Sequence, residues 1–252
     1  MNKFFLALCL ISFLTNAQDN TAISDSLLQP DTSKHQFGYK QLIIPGVLIG
    51  YGIIGIGSDQ LITYNKNIRA ELQENIDEKI TIDDFSQYVP MLSVYALNVA
   101  GIEGKHNLGD RTIIMATSYL LVITTVTGLK HSIHINRPDG SSNNSFPSGH
   151  TATAFSGAEF LWQEYKDKNI WYGIAGYAVA AGTGIFRMYN NRHWLTDVAA
   201  GACIGILSTK AAYWLFPIIK KHIFSGKEGK TTGMVLPFYN GQQMGMAATI
   251  RF

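Results

Sequence analysis

The chain has 252 residues, 46% of them hydrophobic and only 15% charged, with a formal net charge of +2. That length supports one domain with a sizeable core, and so small a charge excludes a strong basic field for nucleic acid. A charged share below the roughly 25% usual for soluble proteins points to lipid contact.

Residues 1–17 combine Lys3, an apolar run from Phe4 to Leu14 and small residues at Thr15 and Ala17, which predicts an export signal. An uncleaved N-terminal anchor helix is the alternative. Cys9 falls inside this segment, so the mature chain keeps Cys203, in a Gly/Ala-rich stretch that suits a packing residue. One cysteine excludes an intrachain disulfide and a multi-cysteine metal site. A polar leader is expected over 18–40, a helix-bundle domain over 41–222 and a tail over 223–252.

Apolar stretches at 42–57, 86–101, 111–129, 149–164, 169–186 and 195–217 are predicted as helices. At about 1.5 Å per residue, 111–129 and 195–217 can cross a hydrocarbon core about 30 Å thick, whereas 42–57 and 149–164 are marginal. Gly173, Gly176, Ala180 and Gly184 recur at helical spacing and would let neighbouring helices approach closely. The same runs could be core helices of a soluble all-α enzyme, since Glu159 and Lys210 interrupt them. The acidic region 58–85 is expected to be a solvated amphipathic connection. Asn240-Gly241 between two short apolar segments predicts a small hairpin. The expected fold is all-α, a membrane-associated bundle of about six helices with a short C-terminal β-hairpin.

Three clusters end consecutive stretches: Lys130 with Arg137, then Pro147-Ser148-Gly149-His150, then Arg187 with His193 and Asp197. In an antiparallel bundle the connections 130–147 and 187–194 emerge at one end, because two helices separate them. His193 and Asp197, four apart, share a helical face. A carboxylate on one ring nitrogen fixes the tautomer and leaves the other nitrogen to attack phosphorus. The helix opening after Pro147 presents unpaired N–H groups to an anion, with Gly149 for close approach and Ser148 as a hydroxyl donor. His150 is placed to protonate a leaving oxygen. Lys130, Arg137 and Arg187 would neutralise phosphate oxygens. Taken singly, a Lys or Arg at a helix end is usually an interfacial anchor, and a lone buried histidine is more often a hydrogen-bonded core residue.

Together, KHSIHINRP at 130–138, PSGH at 147–150 and FRMYNNRHWLTD at 186–197 resemble the motifs of the type 2 phosphatidic acid phosphatase and vanadium haloperoxidase superfamily. The resemblance implies hydrolysis of a lipid phosphate monoester or pyrophosphate through a phosphohistidine, without metal or organic cofactor. It implies that His193 is the nucleophile, His150 the acid and Asp197 the orienting partner. Lys130, Arg137, Ser148, Gly149 and Arg187 would bind phosphate. The family's Ser before the third-motif Arg is Phe186 here, which removes a hydroxyl contact and leaves Phe186 outside the site. His106, His131 and His134 match no motif position, and the latter two are read as loop residues.

Lys-rich flanks at 166–168 and 220–221 favour the inside and the acidic 58–85 region the outside, which puts the motifs on the periplasmic face of a bacterial inner membrane. With an exported start, 42–57, which carries Pro45 and several glycines, must then be re-entrant, interfacial or packed on the bundle. The expected partners are the membrane and a lipid phosphate. Rival readings are a soluble periplasmic acid phosphatase with the same site, a vanadate-dependent haloperoxidase, and an inert lipid-phosphate binding or transport protein.

Overall fold

The computed structural model describes residues 39–74, 81–224, 232–239 and 244–251. The expected export signal and nearly all of the leader lie outside them. A 3-10 turn, Tyr39–Leu42, leads into α1, Ile43–Gly57, followed by α2, Asp59–Gln73, and the short α3, Ile82–Ser86. Then come α4, Val89–Val99, α5, Leu108–Ser132, α6, Gly149–Tyr165, α7, Ile170–Tyr189, and α8, Leu195–Phe224.

Side-chain caps set several helix starts, as expected for helix ends whose first N–H groups have no partner within the helix. Asn107 Oδ1 accepts from Asp110 N at 2.9 Å ahead of α5, and Asn169 Oδ1 from Trp171 N at 3.0 Å ahead of α7. Ser148 Oγ accepts from Thr151 N at 3.5 Å at the start of α6. The final helix continues through Pro217, beyond the expected end at 217.

The centre of the bundle is α6, which packs against α4, α5, α7 and α8, while α1 packs along α8. Its core is apolar, with Val94, Ile114, Phe160, Tyr165, Ala212 and Tyr213 all buried. Small residues permit the close packing. A Cβ on Gly205 would lie 2.3 Å from Ala152 O, and one on Gly201 2.5 Å from Ser148 O, so α8 rests on the α6 backbone where the PSGH segment begins. The expected small-residue stripe works in the same way, with Gly173 against Trp162 and Gly184 against Val198.

Glu159 and Lys210, which argued for a soluble core, are each other's partners: Lys210 Nζ lies 2.7 Å from Glu159 Oε1, and both are buried. Gln163 and Tyr177 also donate to Glu159, so the charge pair carries the extra hydrogen bonds that burial demands.

Three helices are long and apolar enough to cross a membrane, Lys40–Gly57, Leu108–Ser132 and Leu195–His222, judged by length and composition. The first is continuous, so there is no re-entrant turn in it. It packs on α8 while Ile43, Ile44, Val47, Ile53 and Ile54 are exposed.

The expected solvated amphipathic connection over 58–85 is helical in its described part, where α2 and α3 are mostly exposed or half-buried and only Asn65 and Asp83 are buried against the bundle. At the C-terminal end, β1, Thr232–Tyr239, and β2, Met244–Arg251, pair antiparallel. The Asn240-Gly241 turn on which the hairpin expectation rests lies outside the described residues.

Candidate active site

The alternating helices bring the last turns of α5 and α7 and the first turns of α6 and α8 to one end of the bundle. The backbone ties these ends together, because Ser148 N donates to Asp197 O at 3.0 Å. The loop after α5 joins them through Asp139 N, which donates to Asn191 O at 3.1 Å.

His193 sits just before α8 and is 4% exposed, and Asp197 in the first turn is 1% exposed. They face each other, but His193 Nδ1 to Asp197 Oδ2 is 3.6 Å, beyond a hydrogen bond. Ser145 fills the gap. Its Oγ donates to Asp197 Oδ2 at 2.5 Å and lies 3.5 Å from His193 Nδ1. Trp194 N also donates to Asp197 Oδ2 at 2.9 Å, while Asp197 Oδ1 is buried without a partner among the described residues. The expected direct hold of Asp197 on the imidazole is therefore a three-residue arrangement. With Nδ1 turned toward Ser145 and Asp197, Nε2 is the nitrogen that faces away. Burial, with Arg187 and Lys130 adding their positive charge, presses the His193 pKa down from 6.5 to about 4, against the pull of Asp197.

The expected phosphate ligands divide by surroundings. Arg137, His150 and Arg187 line a cleft of about 350 Å³ together with Thr81, Asp83, Asp84, Asn190 and Arg192. Buried polar groups ordinarily find partners, yet Arg137 Nε and Arg187 Nε are buried with none among the described residues. Lys130, Ser148, Gly149 and His193 are not part of that lining. Lys130 Nζ donates to Asn144 O at 2.5 Å. Ser148 Oγ is buried and hydrogen-bonded to Thr151 Oγ1 at 2.9 Å, so here it serves the start of α6. At Gly149 an added Cβ would meet Val126 Cγ1 at an ordinary 3.6 Å, so packing within the protein does not require a glycine there.

Sequence reasoning missed the acidic side of this cleft. Arg187 donates through Nη1 to Asp83, which is 1% exposed and also accepts from Asn190 Nδ2 at 2.9 Å. Asp84 Oδ1 lies 2.8 Å from His150 Nε2 and 3.7 Å from Arg187 Nη1. Local sequence held no signal for these contacts, which join residues 66 to 107 positions apart. Asp83, Asp84 and His150 bring ligand-type atoms within 4.8 Å of one another. The Arg187 guanidinium already serves these carboxylates as a cation, bonded to Asp83 and 3.7 Å from Asp84 Oδ1.

The other histidines stand apart. His131 is on the last turn of α5, not in a loop, and its Nδ1 is 2.8 Å from Thr127 O. His106 pairs with Glu164 at 2.7 Å in a network with Arg111 and Tyr213. Phe186 packs its ring against Tyr189. Cys203 is fully buried, in keeping with a packing role.

Residues 124–221 match the family model described as the PAP2 superfamily. Lipid A 1-phosphatase of Porphyromonas gingivalis is 36% identical over 170 residues, covering 64% of this chain and 38% of that protein. Bacitracin transport permease protein BcrC of Bacillus licheniformis is 39% identical over 75 residues, covering 30% of this chain and 35% of that protein. The chain thus spans little more than a third of the length of these curated relatives. Among solved structures, Aquifex aeolicus LpxE gives a TM-score of 0.46 at 20% identity, covering 60% of this chain and 94% of that one. A PAP2-type phosphatidylglycerolphosphate phosphatase from Bacillus subtilis gives 0.44 at 20% identity, covering 77% and 100%.

Proposed function

With residues 124–221 assigned to the PAP2 superfamily, we propose that the chain is a membrane phosphatase. It hydrolyses a lipid phosphate monoester or pyrophosphate on the periplasmic face of a bacterial inner membrane. One observation carries this reading: Arg137 and Arg187, which line a cleft with His150, each bury an Nε–H group that has no partner among the described residues. Buried donors without acceptors suit a multivalent oxyanion, which guanidinium groups bind with strong charge-assisted hydrogen bonds. The name of the Porphyromonas gingivalis relative supports a lipid phosphate as substrate, and three apolar helices support a membrane setting.

In this mechanism the lone pair on His193 Nε2 attacks phosphorus and the P–O bond to the lipid breaks. His150 gives its proton to the departing oxygen. Water then attacks the phosphohistidine, neutral His150 takes the water's proton, and inorganic phosphate leaves. Arg137, Arg187 and Lys130 stabilise the equatorial oxygens, with the opening of α6 at Ser148 and Gly149 beside them. Asp197, through Ser145, stabilises the positive charge that grows on His193. Charge stabilisation and alignment account for most of phosphoryl-transfer catalysis, so fixed cations can carry out the role of a metal.

The decisive measurement is phosphate release from a panel of lipid phosphates in the presence of chelator, comparing the native chain with His193→Ala. Turnover by the native chain and none by the variant is expected, with radiolabel from the substrate trapped on the native protein as an acid-labile, base-stable adduct. Retention of most activity in His193→Ala would refute the assignment. Activity that leaves the membrane fraction on carbonate extraction would favour the soluble phosphatase instead.

A further inference from the structure

We propose that Asp84 is a positioning residue for the proton donor, forming with His150 a second histidine–carboxylate pair on the leaving-group side of the site. This rests on the reading of His150 as general acid. Asp84 Oδ1 is 2.8 Å from His150 Nε2. A carboxylate on Nε2 fixes the ring and turns the opposite nitrogen, Nδ1, toward the leaving oxygen.

The segment that carries Asp84 is firmly anchored. On one side Asp83 is bonded to Arg187 and Asn190, and on the other Ser86 Oγ is 2.8 Å from Thr183 Oγ1. Those partners all lie on or just after α7, so the five-residue α3 is held at two points and presents Asp84 over His150.

The pair also has an electrostatic purpose. The charged groups around His150 are Asp83 and Asp84 from α3, Arg187 from α7, and Arg137 and Arg192 from the flanking loops. Burial and the Arg187 charge drive His150 toward its neutral form, and Asp84 opposes them by hydrogen bond and charge, with help from Asp83. Among so many cations, an acid that must carry a proton at the start of the cycle needs a nearby anion. In the first step the Nδ1 proton passes to the departing alkoxide while Nε2–H stays on Asp84. In the second, Nδ1 accepts a proton from the attacking water.

The test compares kcat/KM for a lipid alkyl phosphate that the native chain is expected to cleave and for p-nitrophenyl phosphate between pH 4 and 9, using the full chain in detergent and the variants Asp84→Asn, Asp84→Glu and His193→Ala. For the alkyl ester, Asp84→Asn should lower kcat/KM about 10- to 100-fold, with less than about a threefold change for the nitrophenyl ester, whose leaving group needs no proton. The basic limb of the alkyl profile should move to lower pH, and Asp84→Glu should recover most of the loss. The ratio between the two esters is independent of how much protein folds. Equal losses on both esters with an unmoved limb, or a gain on either, would overturn the proposal. If the native chain cleaves neither ester, or His193→Ala stays active, the phosphatase reading itself has failed, and this inference falls with it.

Discussion

Ser145 Oγ donates a 2.5 Å hydrogen bond to Asp197 Oδ2 and stands 3.5 Å from His193 Nδ1, spanning a histidine–carboxylate gap of 3.6 Å. The hydroxyl orients the carboxylate, and the carboxylate's charge acts on the ring from just outside hydrogen-bond range. Replacing Ser145 with Ala removes a hydrogen bond to a charged group, worth about 1.5–3 kcal/mol. We expect kcat/KM for phosphate release to fall roughly 10- to 100-fold, with KM little changed. Asp197→Ala should cost more, because the charge goes as well. Wild-type kinetics in Ser145→Ala would show that the bridge is dispensable.

The His193 imidazole, pressed down to about 4 in the fold from an ordinary 6.5, predicts two pH effects. His193, the proposed nucleophile, stays neutral in the free protein until the pH approaches 4, so the acidic limb of kcat/KM should lie well below the ordinary histidine range. The stability effect has the same sign. Between 6.5 and about 4 the unfolded chain takes up a proton that the folded chain refuses, so this contribution is full above 6.5 and is lost as pH falls. Its size is up to about 3 kcal/mol. Thermal unfolding in detergent across this window should show a shallower acid loss for His193→Gln than for the native chain.

Asp83 is buried with Arg187 and Asn190 as partners. Asp83→Ala removes the carboxylate bonded to a buried guanidinium and leaves Asp84, 3.7 Å away, as its neighbouring anion, a change that costs at most about 3–5 kcal/mol. A lower melting temperature and a higher KM for phosphate ester are expected, the latter because Arg187 is no longer held. Equal melting temperatures in the native and Asp83→Ala proteins would show that the pair contributes nothing to the fold.

Two glycines separate packing from binding. A Cβ on Gly205 would meet Ala152 O at 2.3 Å and Ser156 N at 2.7 Å, both backbone atoms that cannot move independently of α6. Gly205→Ala should therefore unseat α8 from α6 and destabilise the protein by about 1–3 kcal/mol. Gly149→Ala meets only ordinary contact and should leave the melting temperature unchanged. If the phosphate approaches that backbone, its KM rises; an unchanged KM would remove Gly149 from the binding surface.

The parts of the site that could be read in the sequence are those whose partners are neighbours in the chain. Ser148-Gly149-His150 opens α6, and His193 and Asp197 bracket the start of α8, because caps, turns and i, i+4 spacing are local properties. The apolar runs gave most helices to within a few residues. Asp83 and Asp84 could not be found in this way, because an acidic, amphipathic stretch is what a solvated connection also looks like. Glu159 and Lys210 misled in the opposite sense, since each alone argues against a membrane bundle until the other is seen 2.7 Å away.

Composition, periodicity and motif order determined by themselves an apolar helical bundle with two histidines and several cations at the ends of consecutive helices. Tertiary structure decided which charges meet: that Ser145 stands between His193 and Asp197, that Asp83 holds Arg187, and that Asp84 reaches His150. The physical reason is the range of the forces involved. Backbone hydrogen bonding and hydrophobic pattern act along a few residues of chain, whereas ion pairs and buried hydrogen bonds depend on distances in space that only packing creates: α3 onto α6 and α7 for Asp83 and Asp84, and the loop before α6 onto the start of α8 for Ser145.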